Sequence, residues 1–145
     1  MPNISFNVVS IALAAAAIFF LCYVWYVPLF GKVWARELGF TDGGEPQGAA
    51  LFKALGLTAL GALMTAVVLH NSMAVWLPAT WGVAAPAPGL LEHAGPAAIF
   101  TWLGFVLPVL LRGVAWERKS WRLLGIDAGY QLLALAVAAS IIAWR

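Results

Sequence analysis

The last long apolar run of the chain, LGIDAGYQLLALAVAASIIAW at residues 124–144, decides the fold class. A helix needs about 20 mostly apolar residues to cross the hydrocarbon core of a bilayer, and this run is long enough. Its most polar residues collect near its start, at Asp127, Tyr130 and Gln131. The run therefore predicts a transmembrane helix with a polar beginning.

The composition of the whole chain indicates the same lipid environment. Of the 145 residues, 63% are hydrophobic and 10% are charged, and the mean hydropathy is +0.92. A water-soluble domain carries about 25% charged residues, so this chain cannot cover a surface in water. The formal net charge of +2 does not indicate nucleic acid. The single cysteine, Cys22, can form neither an intramolecular disulfide nor a thiolate metal cluster.

Three earlier apolar runs complete the predicted fold. We expect an all-α integral membrane protein, with four transmembrane helices in a compact bundle of two helical hairpins and both termini outside. The chain forms a single membrane domain over residues 1–145. The predicted spans are residues 6–27, 49–69, 96–111 and 124–144, with cytoplasmic loops at 28–48 and 112–123 and an apolar outer loop at 70–95.

Prolines mark the expected ends of two spans. Pro96 is expected in the first turn of the third span, where its missing N–H is not needed. Pro28 and Pro108 are expected to kink or end the first and third spans, since a proline removes a helical hydrogen bond. The third span is the shortest, and we expect it to extend by a turn or to lie steeply.

The basic residues predict how the chain is threaded. Seven of the eight lie in or beside the two loops that follow the first and third spans, and one ends the chain. Loops rich in lysine and arginine stay in the cytoplasm, so both termini are predicted to lie outside the plasma membrane. The seven are Lys32, Arg36, Lys53, Arg112, Arg118, Lys119 and Arg122, and the eighth is Arg145.

Aromatic residues lie near the predicted span ends, where amphipathic rings prefer the headgroup layer. An aromatic cage for a cation is the functional alternative. The interfacial residues predicted in this way are Trp25, Tyr26, Trp34, Trp116, Trp121 and Trp144.

Small residues predict where helices approach one another. In lipid the hydrophobic effect does not drive helices together, so close contact depends on small side chains. The second span offers Ala54, Thr58 and Ala62 at four-residue spacing, and the fourth offers the pair Gly125 and Gly129.

Four blocks of sequence, in order, resemble a known family: WYxPxFGKxW from Trp25, WLGFVxP from Trp102, Trp121, and IDAGYQL from Ile126. Together they are similar to the bacterial membrane family catalogued as domain of unknown function 1761. The resemblance implies a four-helix integral membrane protein and supplies no activity. This chain departs from the family at Gln131, where a histidine is often found.

Asp127 has two interpretations. Near a span end it costs less than the roughly 2.5–3.5 kcal/mol of a mid-bilayer aspartate, so it can anchor the helix by pairing with a nearby cation. The candidate cations are Arg122, Arg118 and Lys32. Alternatively, Asp127 forms the wall of a polar, cytoplasm-facing pocket with Tyr130 and Gln131, which lie three and four residues on and share its helix face.

A metal site has only weak candidates. Folding could bring His70, at the end of the second span, to Glu92 and His93 before the third. Two histidines and a carboxylate can hold zinc, but the helical spacing of known motifs is absent. An interfacial histidine without metal is the simpler interpretation, and we expect no cofactor.

These features favour a non-enzymatic membrane protein, a four-helix subunit that forms a homo-oligomer or joins a larger membrane complex. The alternative is a small channel or transporter with Asp127, Tyr130 and Gln131 in its polar path. An enzyme is third, because no nucleophile, base and orienting group occur together. The expected partners are the lipid bilayer and other membrane chains, with no nucleic acid.

Reporter fusions test the threading. We expect alkaline phosphatase fused after the last residue to be active and a fluorescent protein fused there to be dark, because the C-terminus is predicted outside. Fusions after Arg118, in a predicted cytoplasmic loop, provide the control and should show the reverse. Either chain end inside the cell would contradict the prediction.

Overall fold

A computed structural model describes residues 4–40 and 46–144 of the chain. These residues contain helices and connecting segments and no strand. The α-helices are α1 (Val8–Val24), α2 (Gly31–Glu37), α3 (Ala49–Val75), α4 (Leu90–Thr101), α5 (Leu107–Trp116) and α6 (Trp121–Trp144), with π-helical segments at Trp25–Leu29 and Trp102–Val106 and a 3-10 turn at Pro78–Trp81.

Four continuous helical stretches are long and apolar enough to cross a membrane: Val8–Leu29, Ala49–Val75, Leu90–Trp116 and Trp121–Trp144. The prediction of an all-helical chain with four such helices is confirmed. The first and third stretches each contain one π-helical segment, and α4 and α5 are the two halves of the third.

The helix boundaries depart most from prediction around the third stretch. The prediction for Pro96 is wrong, because α4 begins at Leu90 and Pro96 lies inside it. The side chain of Glu92 accepts a hydrogen bond from the Gly89 N–H at 3.1 Å, which satisfies a donor at the helix start. Pro108 does not end the helix either, since α5 continues to Trp116. The helix α3 runs six residues past the predicted end of the second span.

The helix α6 lies at the centre of the packing. It contacts α1 and α4, while α1 also contacts α3, and α6 is the most buried of the four stretches. Alanines occupy the tightest contacts: Ala14, Ala66, Ala138 and Ala139 have no exposed surface. Small side chains let helix backbones come close, which is how helices gain packing energy in lipid.

The predicted packing residues occupy different environments. On α3, Ala62 is buried and Ala54 and Thr58 are half-buried, so this row faces the bundle. On α6, Gly125 is exposed, and a β-carbon built there would have no neighbour within 4 Å. Gly129 is half-buried, and a β-carbon built there would meet the side chain of Trp25.

Polar contacts join the helices at both ends of the bundle. The Asn7 N–H donates to Nε2 of His70 at 3.4 Å, so the start of α1 lies beside the last turns of α3. At the opposite end, Glu37 of α2 accepts a hydrogen bond from Ser120 Oγ, just before α6, and lies 3.5 Å from Arg122 Nη1. We call this second end the basic end, because it carries the seven basic residues Lys32, Arg36, Lys53, Arg112, Arg118, Lys119 and Arg122.

Candidate functional site

Two π-helical segments occur among the described residues, one near the basic end of the first stretch and one in the middle of the third. Each begins at a tryptophan whose carbonyl accepts from the N–H five residues later: Phe30 N to Trp25 O at 2.9 Å, and Leu107 N to Trp102 O. A π turn is one residue wider than an α turn, and such turns are frequent at functional sites.

Prolines explain why the helices widen here. Pro28 lies inside the first segment and Pro108 lies two residues after the second. A proline has no N–H to donate to the carbonyl four residues before it, and its ring collides with that carbonyl in a regular α-helix. Widening the turn relieves the collision, and it also changes the direction of the nearby side chains.

The two leading tryptophans bind the same turn of α6. The indole N–H of Trp25 donates to the Ile126 carbonyl at 3.1 Å, and the indole N–H of Trp102 donates to the Ala128 carbonyl at 2.8 Å. Between these carbonyls lies Asp127, whose Oδ1 accepts a hydrogen bond of 2.7 Å from the Tyr26 hydroxyl. Three aromatic residues from two other stretches therefore bind three consecutive residues of α6.

Further aromatic contacts surround this turn. The ring of Tyr26 packs edge-on against Tyr130 and Trp34, with centroid distances of 5.1 and 5.4 Å. A β-carbon at Gly129 would lie 3.3 Å from Trp25 Cζ2, so a side chain there would push the indole away. The Tyr130 hydroxyl donates to the Ile18 carbonyl at 3.3 Å. We call Trp25, Tyr26, Trp102, Asp127 and Tyr130 the aromatic clamp.

A small cavity of about 150 Å³ lies beside the clamp. Asp127 lines it together with Arg112, Glu117 and Lys119. Lys119 Nζ lies 2.7 Å from Glu117 Oε2. The hydrogen bond from Lys119 lowers the pKa of the Glu117 carboxyl below its ordinary value. The cavity therefore combines two cations with two carboxyl groups.

The three residues predicted to share a pocket face different surroundings. Asp127 lines the small cavity, Tyr130 is buried against α1, and Gln131 lines a separate cavity of about 450 Å³ that α3 also borders. The described residues also contain no ion pair between Asp127 and a predicted cation. Arg122 pairs with Glu37 instead.

The predicted interfacial aromatics divide into two groups. Trp116, Trp121 and Trp144 expose 84%, 71% and 73% of their surface, as expected for rings at a bundle surface. Trp25 and Tyr26, the first two residues of a π-helical segment, are half-buried and hydrogen bond to α6. A half-buried Trp34 packs between Tyr26 and Phe40.

The weak metal candidates do not assemble. Phe6 stacks on buried His70 at 5.9 Å, and His70 Nδ1 has no hydrogen-bond partner among the described residues. Glu92 and His93 line a different cavity, which α3 and α4 border. In the described ranges no three His, Cys, Asp or Glu residues come close enough to hold a metal ion.

Sequence reasoning missed the partners of Asp127. From sequence, Tyr26 is only an expected interfacial residue and Trp102 is only part of a family block. Their hydrogen bonds to α6 depend on tertiary packing. One feature of the sequence does link the two tryptophans that bind α6: each precedes a proline, Pro28 or Pro108, by no more than six residues.

The fold and the clamp define a class: an all-helical protein whose four long helices can cross a membrane and whose fourth helix is bound by aromatic residues of the first and third. The chain belongs to the family described as protein of unknown function (DUF1761), whose model matches residues 9–143, so the predicted membership is confirmed. No curated protein and no solved structure matches it.

Replacing Tyr26 with phenylalanine tests the clamp. The change removes one hydroxyl and leaves Oδ1 of Asp127 without its donor. Side-chain hydrogen bonds between membrane helices contribute about 0.6 kcal/mol on average and at most about 1.7 kcal/mol, so we expect a loss of that order. Thermal unfolding of the purified protein in detergent measures it.

Tyr23→Phe is the matched control, because Tyr23 lies one turn earlier, is 60% exposed and makes no hydrogen bond within the described chain. Equal unfolding midpoints for the two variants would show that the bond to Asp127 does not stabilise the fold.

Proposed function

We propose that this chain is a non-enzymatic integral membrane protein of the bacterial plasma membrane, and that it acts as a subunit of a homo-oligomer or of a larger membrane complex. Its four spans form two helical hairpins. The basic end faces the cytoplasm and both termini lie outside, in accordance with the positive-inside rule.

One observation carries this proposal: the polar groups of the clamp are engaged in contacts between helices of the same chain. Asp127 binds Tyr26, and both indoles bind carbonyls of α6. An ionisable residue inside a membrane protein is a functional candidate by default, so an aspartate engaged in packing favours a structural role.

The character of the core supports the same proposal. The buried cluster that joins the helices consists of apolar side chains and Tyr130, from Ile11 in α1 to Ala139 in α6. Among the described residues the buried polar ones, Ser10, His70 and Thr80, lie toward the end opposite the basic end. A solute passing through the buried core of a single bundle would meet packed apolar side chains.

A second candidate, a small channel or transporter, is favoured by the cavity beside Asp127. It has two carboxyl groups and two cations, and three of these groups, Arg112, Glu117 and Lys119, lie at the basic end. Because the cavity holds only about 150 Å³ and adjoins the apolar core, a transport path would have to continue between copies in a homo-oligomer.

The oligomer size in mild detergent tests the leading proposal. We expect the full chain to purify as a defined complex with itself or with other chains. Asp127→Asn should leave membrane insertion intact and weaken assembly, because a neutral amide accepts the Tyr26 hydrogen bond less strongly than a carboxylate. Light scattering and native mass spectrometry measure the complex.

Glu117→Gln is the control, since Glu117 lines the same cavity without contacting the clamp. Unchanged oligomer size and thermal stability in Asp127→Asn would contradict the anchor role. Loss of ion flux through liposomes with assembly intact would favour the transporter.

A further inference from the structure

A cleft opens between α3 and α4, and no residue of α1 lines it. It consists of two adjoining cavities of about 580 and 450 Å³, which share Leu69, Ser72 and Thr101 as lining residues. The first reaches Glu92 and His93 near the start of α4, and the second reaches Gln131 of α6. The cleft thus runs from the end opposite the basic end to the middle of the bundle.

Four polar side chains line the second cavity: Thr65, Ser72, Thr101 and Gln131. Of these, Thr65, Thr101 and Gln131 lie near the middle of their membrane-spanning stretches. Their side chains make no hydrogen bond to any other residue of the described ranges.

Two hydroxyls elsewhere in the bundle behave differently. Thr58 donates to the carbonyl of Ala54, and Ser140 donates to that of Ala136, four residues earlier in each case. A hydroxyl in a membrane helix usually satisfies itself in this way. The groups in the cleft instead remain available to an occupant.

An unpaired amide in a bilayer interior is costly. Transferring a polar group from water to an apolar medium without a hydrogen bond costs roughly 2–7 kcal/mol, and the bilayer core holds no water to supply one. An occupant that offers a donor or an acceptor near Gln131 would remove this cost.

The size of the cleft is that of a small-molecule site. Both cavities fall in the range of about 300–1,000 Å³ that is typical of small-molecule sites, which are mostly apolar with a few polar groups.

The charge of the deep part defines the chemistry of the occupant. The lining of the second cavity contains no ionisable side chain among the described residues, and its polar groups are hydroxyls and one carboxamide. We propose that the cleft binds a neutral, lipid-soluble small molecule whose carbonyl or hydroxyl group hydrogen bonds to Gln131, Thr65 and Thr101. Its apolar part lies along Leu69 and Phe100 toward the mouth. This inference is independent of the proposed assembly.

Photolabelling of the full-length protein in detergent tests the site. The probe is a benzoquinone with a ten-carbon tail that carries a diazirine, and labelled residues are mapped by mass spectrometry. We expect saturable labelling confined to residues that line the cleft. Unlabelled decylbenzoquinone, which carries carbonyl groups, and unlabelled decylphenol, which carries a hydroxyl, should compete with the probe. Comparing the two shows which group the site prefers. Decylbenzene, which has no polar group, should compete more weakly.

Variants identify the polar contacts. Gln131→Leu and Thr101→Val should each weaken competition by the polar compound about two- to tenfold, as expected for one lost hydrogen bond, and should leave decylbenzene unaffected. Thr58→Val is the control, since Thr58 satisfies itself and does not line the cleft. Two variants are used so that a folding defect in one leaves the other informative.

Three outcomes would overturn the proposal. Labelling could rise linearly with probe and spread over the lipid-facing surface, or decylbenzene could compete as well as the polar compounds. The third outcome uses Val68→Cys in a Cys22→Ser background. If two copies form a disulfide through this cysteine and labelling is then blocked, a second chain fills the cleft.

Discussion

Three hydrogen bonds to one turn of α6 organise the rest of the structure. In lipid a helix gains little from the hydrophobic effect when it packs on another helix, so its position depends on close packing and on polar groups that find partners. The indole N–H groups of Trp25 and Trp102 find acceptors in the carbonyls of Ile126 and Ala128, and the hydroxyl of Tyr26 finds one in the carboxylate of Asp127. The first and third stretches are thereby joined to the fourth at the same depth.

The π-helical segments make this arrangement possible. Each widens a helix next to a proline, and each begins with a tryptophan that binds α6. Gly129 contributes by leaving room for the Trp25 ring. The prolines thus change the direction of the side chains within stretches that remain long enough to cross a membrane, and Pro28 also precedes the short helix α2, which binds Ser120 through Glu37.

The number of long helices could be predicted from sequence because length and apolar composition decide it locally. Successive helices run in opposite directions, so the loops after the first and third helices lie at the same end. Those loops and their borders carry seven basic residues, which therefore collect there. The ends of the third stretch could not be predicted in this way. Pro96 lies inside α4, and Pro108 lies in the first turn of α5, just after a π-helical segment. Membrane helices tolerate prolines where neighbours or local widening satisfy the freed backbone groups.

The candidate site was predictable only in part. Asp127 is conspicuous because ionisable residues are rare in apolar runs, and the structure places it at the centre of the clamp. The grouping with Tyr130 and Gln131 relied on helical spacing alone. That reasoning fails for a central helix, because neighbours cover it on several sides and adjacent positions meet different helices. Which helix lies on which side depends on tertiary packing.

Exchange of the indole protons tests the central claim most directly. In protein labelled with ¹⁵N at tryptophan, each indole N–H gives an NMR signal that substitution by phenylalanine assigns. If Trp25 and Trp102 hydrogen bond to α6, their indole protons will exchange with water far more slowly than those of exposed Trp116 and Trp121. Equal exchange rates for the two pairs would contradict the account.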